Sequence, residues 1–229
     1  ERAILFAQET GCKLHIVHVS SGRGVALVAE ARAKGIDVSC ETCPHYLVLT
    51  EDDVERLGAV AKCAPPLRTR EVQEELWQQL HAGNILMVTS DHSPAPAEMK
   101  TSPDFFQVWG GISGCQSLLQ LLLTDGYYER QLPLSTIASL TSASIADRFA
   151  LGPHKGSVAI GADADLVLID LQESSVLCSD DLYYRHPHSP YVGKTMRGRI
   201  HRTLLRGDTI FLDGQFAPDI HSTLIKPKT

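Results

Sequence analysis

Apolar runs and amphipathic stretches alternate along the first part of the chain. Residues 85–88 are apolar without interruption, as in a strand buried on both faces, and polar residues follow immediately. Val72, Leu76 and Leu80 are spaced four apart, as on one face of a helix. Such patterns predict strands over residues 13–19, 36–41, 59–63 and 85–88, with helices over residues 22–33, 51–57 and 69–82. Regular alternation of this kind indicates an α/β fold in which helical crossovers join parallel strands.

The pattern changes near residue 153. Residues 156–170 are rich in turn-forming and β-branched residues, and residues 199–216 resemble a hairpin with Gly207-Asp208 and Asp213-Gly214 as turns. We therefore expect one domain over residues 1–152, a small β-rich domain over residues 153–221 and a loose tail over residues 222–229.

Composition excludes several classes of protein. The chain has 229 residues and a net charge of −6, and its basic residues are scattered, so nucleic acid is not an expected partner. No run approaches the roughly 20 apolar residues of a membrane span. Six dispersed cysteines, with one Cys-x-x-Cys at Cys40 and Cys43, favour reduced thiols in the cytoplasm over a redox pair. The chain opens within a helical pattern and without Met, so we expect it to be part of a longer protein.

Ionisable side chains follow three of the predicted strands. His18 ends the first strand, His45 follows the second, and Asp91 follows the last. Parallel strands open their carboxyl ends onto one face, so two imidazoles and a carboxylate would converge there as ligands for a divalent metal such as zinc. Each residue also has a plain structural interpretation: a hydrogen-bonded core histidine, a loop histidine, and an aspartate that caps a turn. Spacing alone leaves both interpretations open.

Four motifs resemble the successive strand-end motifs of the cyclic amidohydrolases, the family of dihydroorotase, hydantoinase, dihydropyrimidinase and allantoinase. The motifs are His18-Val19-Ser20-Ser21, Cys43-Pro44-His45-Tyr46-Leu47, Ala64-Pro65-Pro66-Leu67-Arg68 and Ser90-Asp91-His92-Ser93-Pro94. The details that most resemble the allantoinase branch are Lys62-Cys63-Ala64-Pro65-Pro66, Trp109-Gly110-Gly111-Ile112-Ser113-Gly114, and Tyr184-Arg185-His186 before Ser189-Pro190-Tyr191.

This resemblance implies a fold, an activity and roles for residues. The fold would be the second half of a TIM-type (β/α)8 barrel with part of a small β-rich domain. His18 and His45 would bind the second of two divalent metals, and Asp91 would bind the first and shuttle the proton. Zinc is the metal that we expect, with cobalt, manganese or iron as alternatives. His92 and Ser93 would lie against the substrate, Ser93 through its backbone. A metal-activated water would open a cyclic amide, allantoin to allantoate, in a homo-oligomer such as a tetramer.

The chain also departs from the family pattern. The His-x-His pair and the carbamylated lysine expected upstream are absent from these 229 residues, so we expect the chain to be inactive alone. Ala95 and Ser144-Ile145 replace a usual Cys and Asn-Pro. Ala64 and Gly110 replace the Ser and Asn of hydantoinase and dihydropyrimidinase, which argues against those two activities. These enzymes and dihydroorotase remain alternatives, as does a non-catalytic scaffold protein if the chain is naturally this short.

Overall fold

The computed structural model describes residues 1–227 and divides the chain into two compact units. The first unit contains residues 1–118 and a later segment, residues 177–193. The second contains residues 119–176 and the chain from residue 194 onward. The predicted domain boundary near residue 153 stays a prediction, and the end of the predicted tail, residues 228–229, lies outside the described residues.

A parallel sheet forms the centre of the first unit, as the alternation of strands and helices predicts. Its strands are β1 (Leu14–Ile16), β2 (Val38–Thr42) and β3 (Met87–Val88), in that order across the sheet. His15 is paired with Ser39 between β1 and β2, and Thr42 with Val88 between β2 and β3. Both residues of β3 are buried, which explains the unbroken apolar run over residues 85–88. Four of the five residues of β2 are buried as well, although three of the five are polar.

The predicted strand over residues 59–63 is wrong. Residues Gly58–Ala61 form a 3₁₀ turn, so the sheet has three strands where the sequence indicated four. Gly58 has a φ of 70°, which ends the preceding helix, and the backbone then coils tightly. A short apolar run such as this one is compatible with a buried turn as well as with a strand, because it is too short to show the side-chain periodicity of either.

Helices connect the strands of the first unit, and side-chain caps mark where they begin. Ser21 accepts a hydrogen bond from the Gly24 amide at 3.3 Å to start α2, and Thr69 accepts one from the Val72 amide at 3.4 Å to start α5. The sequence did not predict α3, whose first residue is a proline. The helices are α1 (Arg2–Thr10), α2 (Gly22–Ala33), α3 (Pro44–Val48), α4 (Glu51–Leu57) and α5 (Arg70–His81).

The second unit begins with helical segments and continues into an antiparallel sheet. Helices α6 (Leu118–Leu121) and α7 (Leu134–Ala138) each continue into π-helical turns, and α8 is Ser144–Arg148. The strands follow the order β4 (Leu166–Val176), β5 (Thr195–Leu205), β6 (Asp208–Leu212) and β7 (Gln215–Phe216).

The predicted hairpin is confirmed by the pairing of β5 with β6 and of β6 with β7. Arg206 and Gly207 have φ angles of 52° and 92°, the left-handed pair that a tight two-residue hairpin turn requires. Among residues 1–227, no helix combines the length and the apolar character that crossing a membrane requires.

Candidate active site

Hydrogen bonds hold the three chain segments that follow β1, β2 and β3 together at one edge of the parallel sheet. The Val19 amide donates to the carbonyl of Glu41 at 2.8 Å, and the Thr89 amide donates to the carbonyl of Thr42 at 3.0 Å. The Thr42 hydroxyl also donates to the carbonyl of Val19 at 2.8 Å. Residues 18, 45 and 91 therefore leave the sheet at its carboxyl edge, where parallel α/β enzymes place their chemistry.

The structure brings together two of the three predicted metal ligands. His45 and Asp91 lie with Cys43 in a group whose nitrogen, oxygen and sulfur atoms are all within 4.8 Å of one another, the one such group found among residues 1–227. His18 is not a member of this group. It lies close enough for its charge to lower the pKa values of both His45 and Asp91.

His45 is the most unusual side chain of the site. It lies in the first turn of α3 with 1% of its surface exposed, and neither ring nitrogen has a hydrogen-bond partner among the described residues. Burial and, to a smaller extent, the charge of His18 together lower its pKa to about 3, so the ring is neutral at pH 7. A neutral imidazole with an unpaired nitrogen is the form that binds divalent metals, so the residues present fit a metal ion.

The backbone is strained at the other two predicted ligands. His18 and Asp91 both have a φ of 42°, in the left-handed region that residues other than glycine rarely occupy. Each such residue costs about 1–3 kcal/mol, and residues of this kind cluster at functional sites. At both residues the backbone turns sharply just beyond the end of a strand.

Burial and two neighbouring charges set the proton affinity of Asp91. Burial raises the pKa of its carboxyl group, the charge of His18 opposes the rise, and the charge of Glu41 adds to it. A carboxylate with a raised pKa accepts a proton more readily, which suits a residue that has to move one during a reaction.

Two further residues of the site, Cys43 and Glu41, were not predicted from the sequence. Burial, followed by the charge of Asp91, raises the pKa of the Cys43 thiol, so the thiol is neutral at pH 7. Glu41 accepts hydrogen bonds from Thr89 Oγ1 at 2.6 Å and pairs with His15 Nε2 at 3.0 Å. The spacing of Cys43 from His45 was visible in the sequence, but the contacts of Glu41 link residues far apart in the chain.

His92 and Ser93, the predicted substrate residues, are held by a glycine-rich segment. His92 Nδ1 accepts a hydrogen bond from the Gly114 amide at 3.2 Å, so the ring proton lies on Nε2 when the ring is neutral. The Ser93 amide donates to the carbonyl of Ile112 at 3.0 Å, and the Ser93 carbonyl accepts from Trp109 Nε1 at 3.3 Å. The Ser93 amide and one lone pair of its carbonyl are thus already used, which leaves its hydroxyl and the second lone pair of the carbonyl for other contacts.

Close packing explains two glycines of the Trp109-Gly110-Gly111-Ile112-Ser113-Gly114 motif. A β-carbon on Gly111 would lie 2.5 Å from the carbonyl oxygen of Ser93, and one on Gly114 would lie 2.7 Å from that of Ser90. Real side chains do not approach this closely, so both positions require glycine for the segment to lie against the Asp91 turn.

The segment of residues 177–193 returns to this part of the first unit. The hydroxyl of Tyr184 accepts a hydrogen bond from the Gln116 amide at 2.9 Å, and its ring lies 5.1 Å from that of His92. His188 Nε2 lies 2.7 Å from the carbonyl of Ala95. Tyr184, the first residue of the Tyr-Arg-His motif singled out in the sequence, therefore lies on the side of the site that carries His92.

The Ala64-Pro65-Pro66-Leu67-Arg68 motif is joined by hydrogen bonds to two of the other motifs. Arg68 Nε donates to Ser20 Oγ at 3.1 Å, and the hydroxyl of Tyr46 donates to the carbonyl of Pro65 at 2.9 Å. Segments that lie far apart in sequence thus interlock around the carboxyl edge of the sheet.

The chain is similar to known proteins over nearly its whole length. A family model described as "Amidohydrolase family" matches residues 2–210. Allantoinase from Rubrobacter xylanophilus is 57% identical over 227 residues, which cover 99% of this chain and 50% of that protein. Allantoinase from Deinococcus radiodurans is 55% identical over 229 residues, which cover 100% and 50%. The chain therefore spans about half the length of these relatives.

Solved structures show the same fold. L-hydantoinase (dihydropyrimidinase) from Arthrobacter aurescens superposes with a TM-score of 0.92 at 35% identity, covering 94% of this chain and 48% of that one. A D-hydantoinase superposes with a TM-score of 0.86 at 31% identity over the same shares. The predicted fold, the second half of a TIM-type barrel with part of a small β-rich domain, is confirmed.

Proposed function

Because this chain belongs to the amidohydrolase family, we propose that the protein hydrolyses a cyclic amide, and specifically that it opens allantoin to allantoate. Relatives named allantoinase, at 57% and 55% identity, support this substrate over hydantoin. The motifs around Cys63, Trp109 and Tyr184 support it as well.

The observation that carries the proposal is the pairing of a buried, unpartnered imidazole with a carboxylate at the carboxyl edge of a parallel sheet. His45 and Asp91 lie within one group of possible ligand atoms, and His18 stands close enough to influence both. In the proposed site, His18, His45 and Asp91 hold divalent metal. Leaving two imidazole nitrogens buried without partners otherwise costs about 1–3 kcal/mol for each.

The residues of the chain then have separate tasks. Bound metal supplies an activated water and polarises the ring carbonyl. Asp91 takes a proton from the water and passes it to the departing ring nitrogen, which its raised pKa favours. His92 presents Nε2 and Ser93 its hydroxyl and carbonyl towards the substrate, because their remaining groups are held by residues 109–114.

Further features of the proposal follow from the family resemblance. The metals are two zinc ions, with a carbamylated lysine supplied by a part of the protein outside this chain. The protein is a cytoplasmic homo-oligomer, and a tetramer is the form we favour. It takes a small ureide or cyclic amide, and it has neither a nucleic acid nor a membrane as partner.

Metal analysis and an allantoin assay test the proposal together. For the intact protein, which includes the preceding half of the barrel, we expect about two divalent ions per polypeptide and turnover of allantoin but not of hydantoin or dihydroorotate. Asp91→Asn preserves the shape of the side chain but cannot accept the proton, and it should lower kcat by at least about 100-fold. Asp52→Asn, at an exposed position of α4, is the matched control. Full activity in a metal-free preparation, or in the Asp91→Asn variant, would disprove the mechanism.

A further inference from the structure

A lysine outside the proposed metal site joins two backbone segments of the first unit. Lys100 Nζ donates to the carbonyl oxygens of Gly111 at 2.7 Å, Ala59 at 3.1 Å and Lys62 at 3.3 Å. These three bonds use all the N–H groups of an ammonium ion. The side chain is partly buried, so the ammonium ion has exchanged part of its hydration for backbone carbonyls.

A second lysine is bound in the same way to a neighbouring stretch. Lys62 Nζ donates to the carbonyls of Val108 at 2.7 Å, Phe106 at 3.2 Å and also Phe105. Within residues 1–227, the polar partners of both ammonium groups are backbone carbonyls rather than carboxylates. An ammonium ion that is desolvated without a counter-ion is costly, and the carbonyl dipoles offset this cost only while the backbone stays in place.

The two lysines differ in what their carbonyls touch. Gly111, held by Lys100, packs so closely on Ser93 that a β-carbon would lie 2.5 Å from both the hydroxyl and the carbonyl oxygen of Ser93. The next residue, Ile112, accepts the Ser93 amide and is bridged to His92. The carbonyls that Lys62 holds, at residues 105–108, connect to this turn only at their end, where the indole of the next residue, Trp109, donates to the Ser93 carbonyl at 3.3 Å.

We propose that Lys100 is a positioning residue for substrate binding, because it fixes Gly111 against Ser93 and thereby fixes the orientation of His92 and Ser93. This inference rests on the proposed function, since it assigns Lys100 a part in binding the same cyclic amide. Lys100 itself touches neither metal ligand nor substrate group.

The protonation state of Lys100 gives this role a distinct signature. Burial, opposed by the charge of Cys63 and reinforced by that of Lys62, lowers the pKa of the ammonium group to about 8. The ammonium form donates three hydrogen bonds, whereas the neutral amine has two N–H groups. Above pH 8 at least one of the three carbonyls therefore loses its donor, and the Gly111 segment is held less firmly.

Three variants of the intact protein test the proposal with allantoin as substrate. Lys100→Met removes the donors and should lower kcat/KM about tenfold or more, mainly through KM, with metal content unchanged. Lys62→Met is the comparison variant: the carbonyls it frees, at residues 105–108, reach Ser93 only through the neighbouring Trp109 indole, so it should lower kcat/KM less than Lys100→Met does. Lys100→Arg remains charged, so it should restore much of the activity and move the loss of kcat/KM near pH 8 to higher pH.

Hydrogen exchange provides a readout that does not depend on turnover. The amides of Ser93 and Gly114, bonded to Ile112 and His92, should lose protection about tenfold in Lys100→Met and keep it in Lys62→Met. Unchanged protection in Lys100→Met would overturn the positioning role, whether or not the wild-type protein is active on allantoin. A wild-type protein that is inactive on allantoin would count against the proposed function alone. An active wild-type protein with equal KM in Lys100→Met, or with a pH profile identical to that of Lys100→Arg, would also overturn it.

Discussion

Gly110 faces Ala64: a β-carbon on Gly110 would lie 3.5 Å from the β-carbon of Ala64, at ordinary van der Waals distance. The two residues come from different motifs, and they are the two positions at which this chain departs from the Ser and Asn of hydantoinase and dihydropyrimidinase. The structure thus joins two separate sequence differences into one small, apolar corner beside the proposed substrate face.

We expect this corner to influence substrate choice. Gly110→Ala fits the available space and should keep kcat/KM for allantoin within about threefold, because it adds one methyl group. Gly110→Asn combined with Ala64→Ser introduces polar groups beside a substrate that does not pair with them, and it should lower kcat/KM for allantoin about tenfold or more. Steady-state assays on allantoin and hydantoin measure the change. The prediction would be contradicted if the ratio of kcat/KM for allantoin to kcat/KM for hydantoin were the same in the wild type and in the double variant. Assays of Gly110→Asn and Ala64→Ser separately show whether the two positions are coupled.

Stability of the metal-free protein should fall in mild acid because of His45. Its pKa in the fold, about 3, lies below the 6.5 of the free side chain, so the unfolded chain takes up the proton first as pH falls. The stability present above pH 6.5 is lost progressively towards pH 3, by about 2 kcal/mol at pH 5.

Urea unfolding at pH 7 and pH 5 measures this loss. His45→Gln should remove most of the difference between the two pH values, whereas His81→Gln, at an exposed position of α5, should leave it in place. An undiminished difference in His45→Gln would show that another group is responsible.

The six cysteines should divide into two reactive classes. Cys12, Cys115 and Cys178 are exposed, whereas Cys40, Cys43 and Cys63 are buried. Burial raises the pKa values of Cys40 and Cys63 to about 11, and it raises that of Cys43 as well. Brief treatment with iodoacetamide at pH 7.5 should therefore label the exposed class in the folded protein and all six thiols in urea, because the thiolate is the reactive form. Peptide mass spectrometry locates the adducts, and labelling of Cys43 as fast as Cys12 would contradict its buried position.

Residues 1–229 expressed alone should show no appreciable turnover of allantoin. His18, His45 and Asp91 supply three protein ligands, which is too few to complete a site for two metal ions. The relatives named allantoinase are about twice as long as this chain. Allantoin turnover should be measured for this polypeptide and for one that also contains the preceding half of the barrel. As a complementary control, the preceding half is added to residues 1–229 as a separate chain. Robust activity from residues 1–229 would show that our account of the metal centre is wrong.

Local signals in the sequence were sufficient for much of the fold. Ser21 and Thr69 mark helix starts, the apolar run before Thr89 marks a buried strand, and Gly207 marks a hairpin turn. Each signal acts over a few neighbouring residues, through a cap, a side-chain period or a left-handed turn, so it can be recognised without knowledge of the rest of the chain. The sequence order of His18, His45 and Asp91 likewise predicts that they follow parallel strands to one edge.

Tertiary packing determined what the local signals leave open. It turned residues 59–63 away from the sheet, placed Cys43 beside His45 and Asp91, and returned residues 177–193 to the first unit. It also brought Lys100 to Gly111 and to the turn before Cys63. These contacts depend on which surfaces exclude water together and which buried polar groups find partners. That balance involves residues distant in sequence, and no short pattern records it.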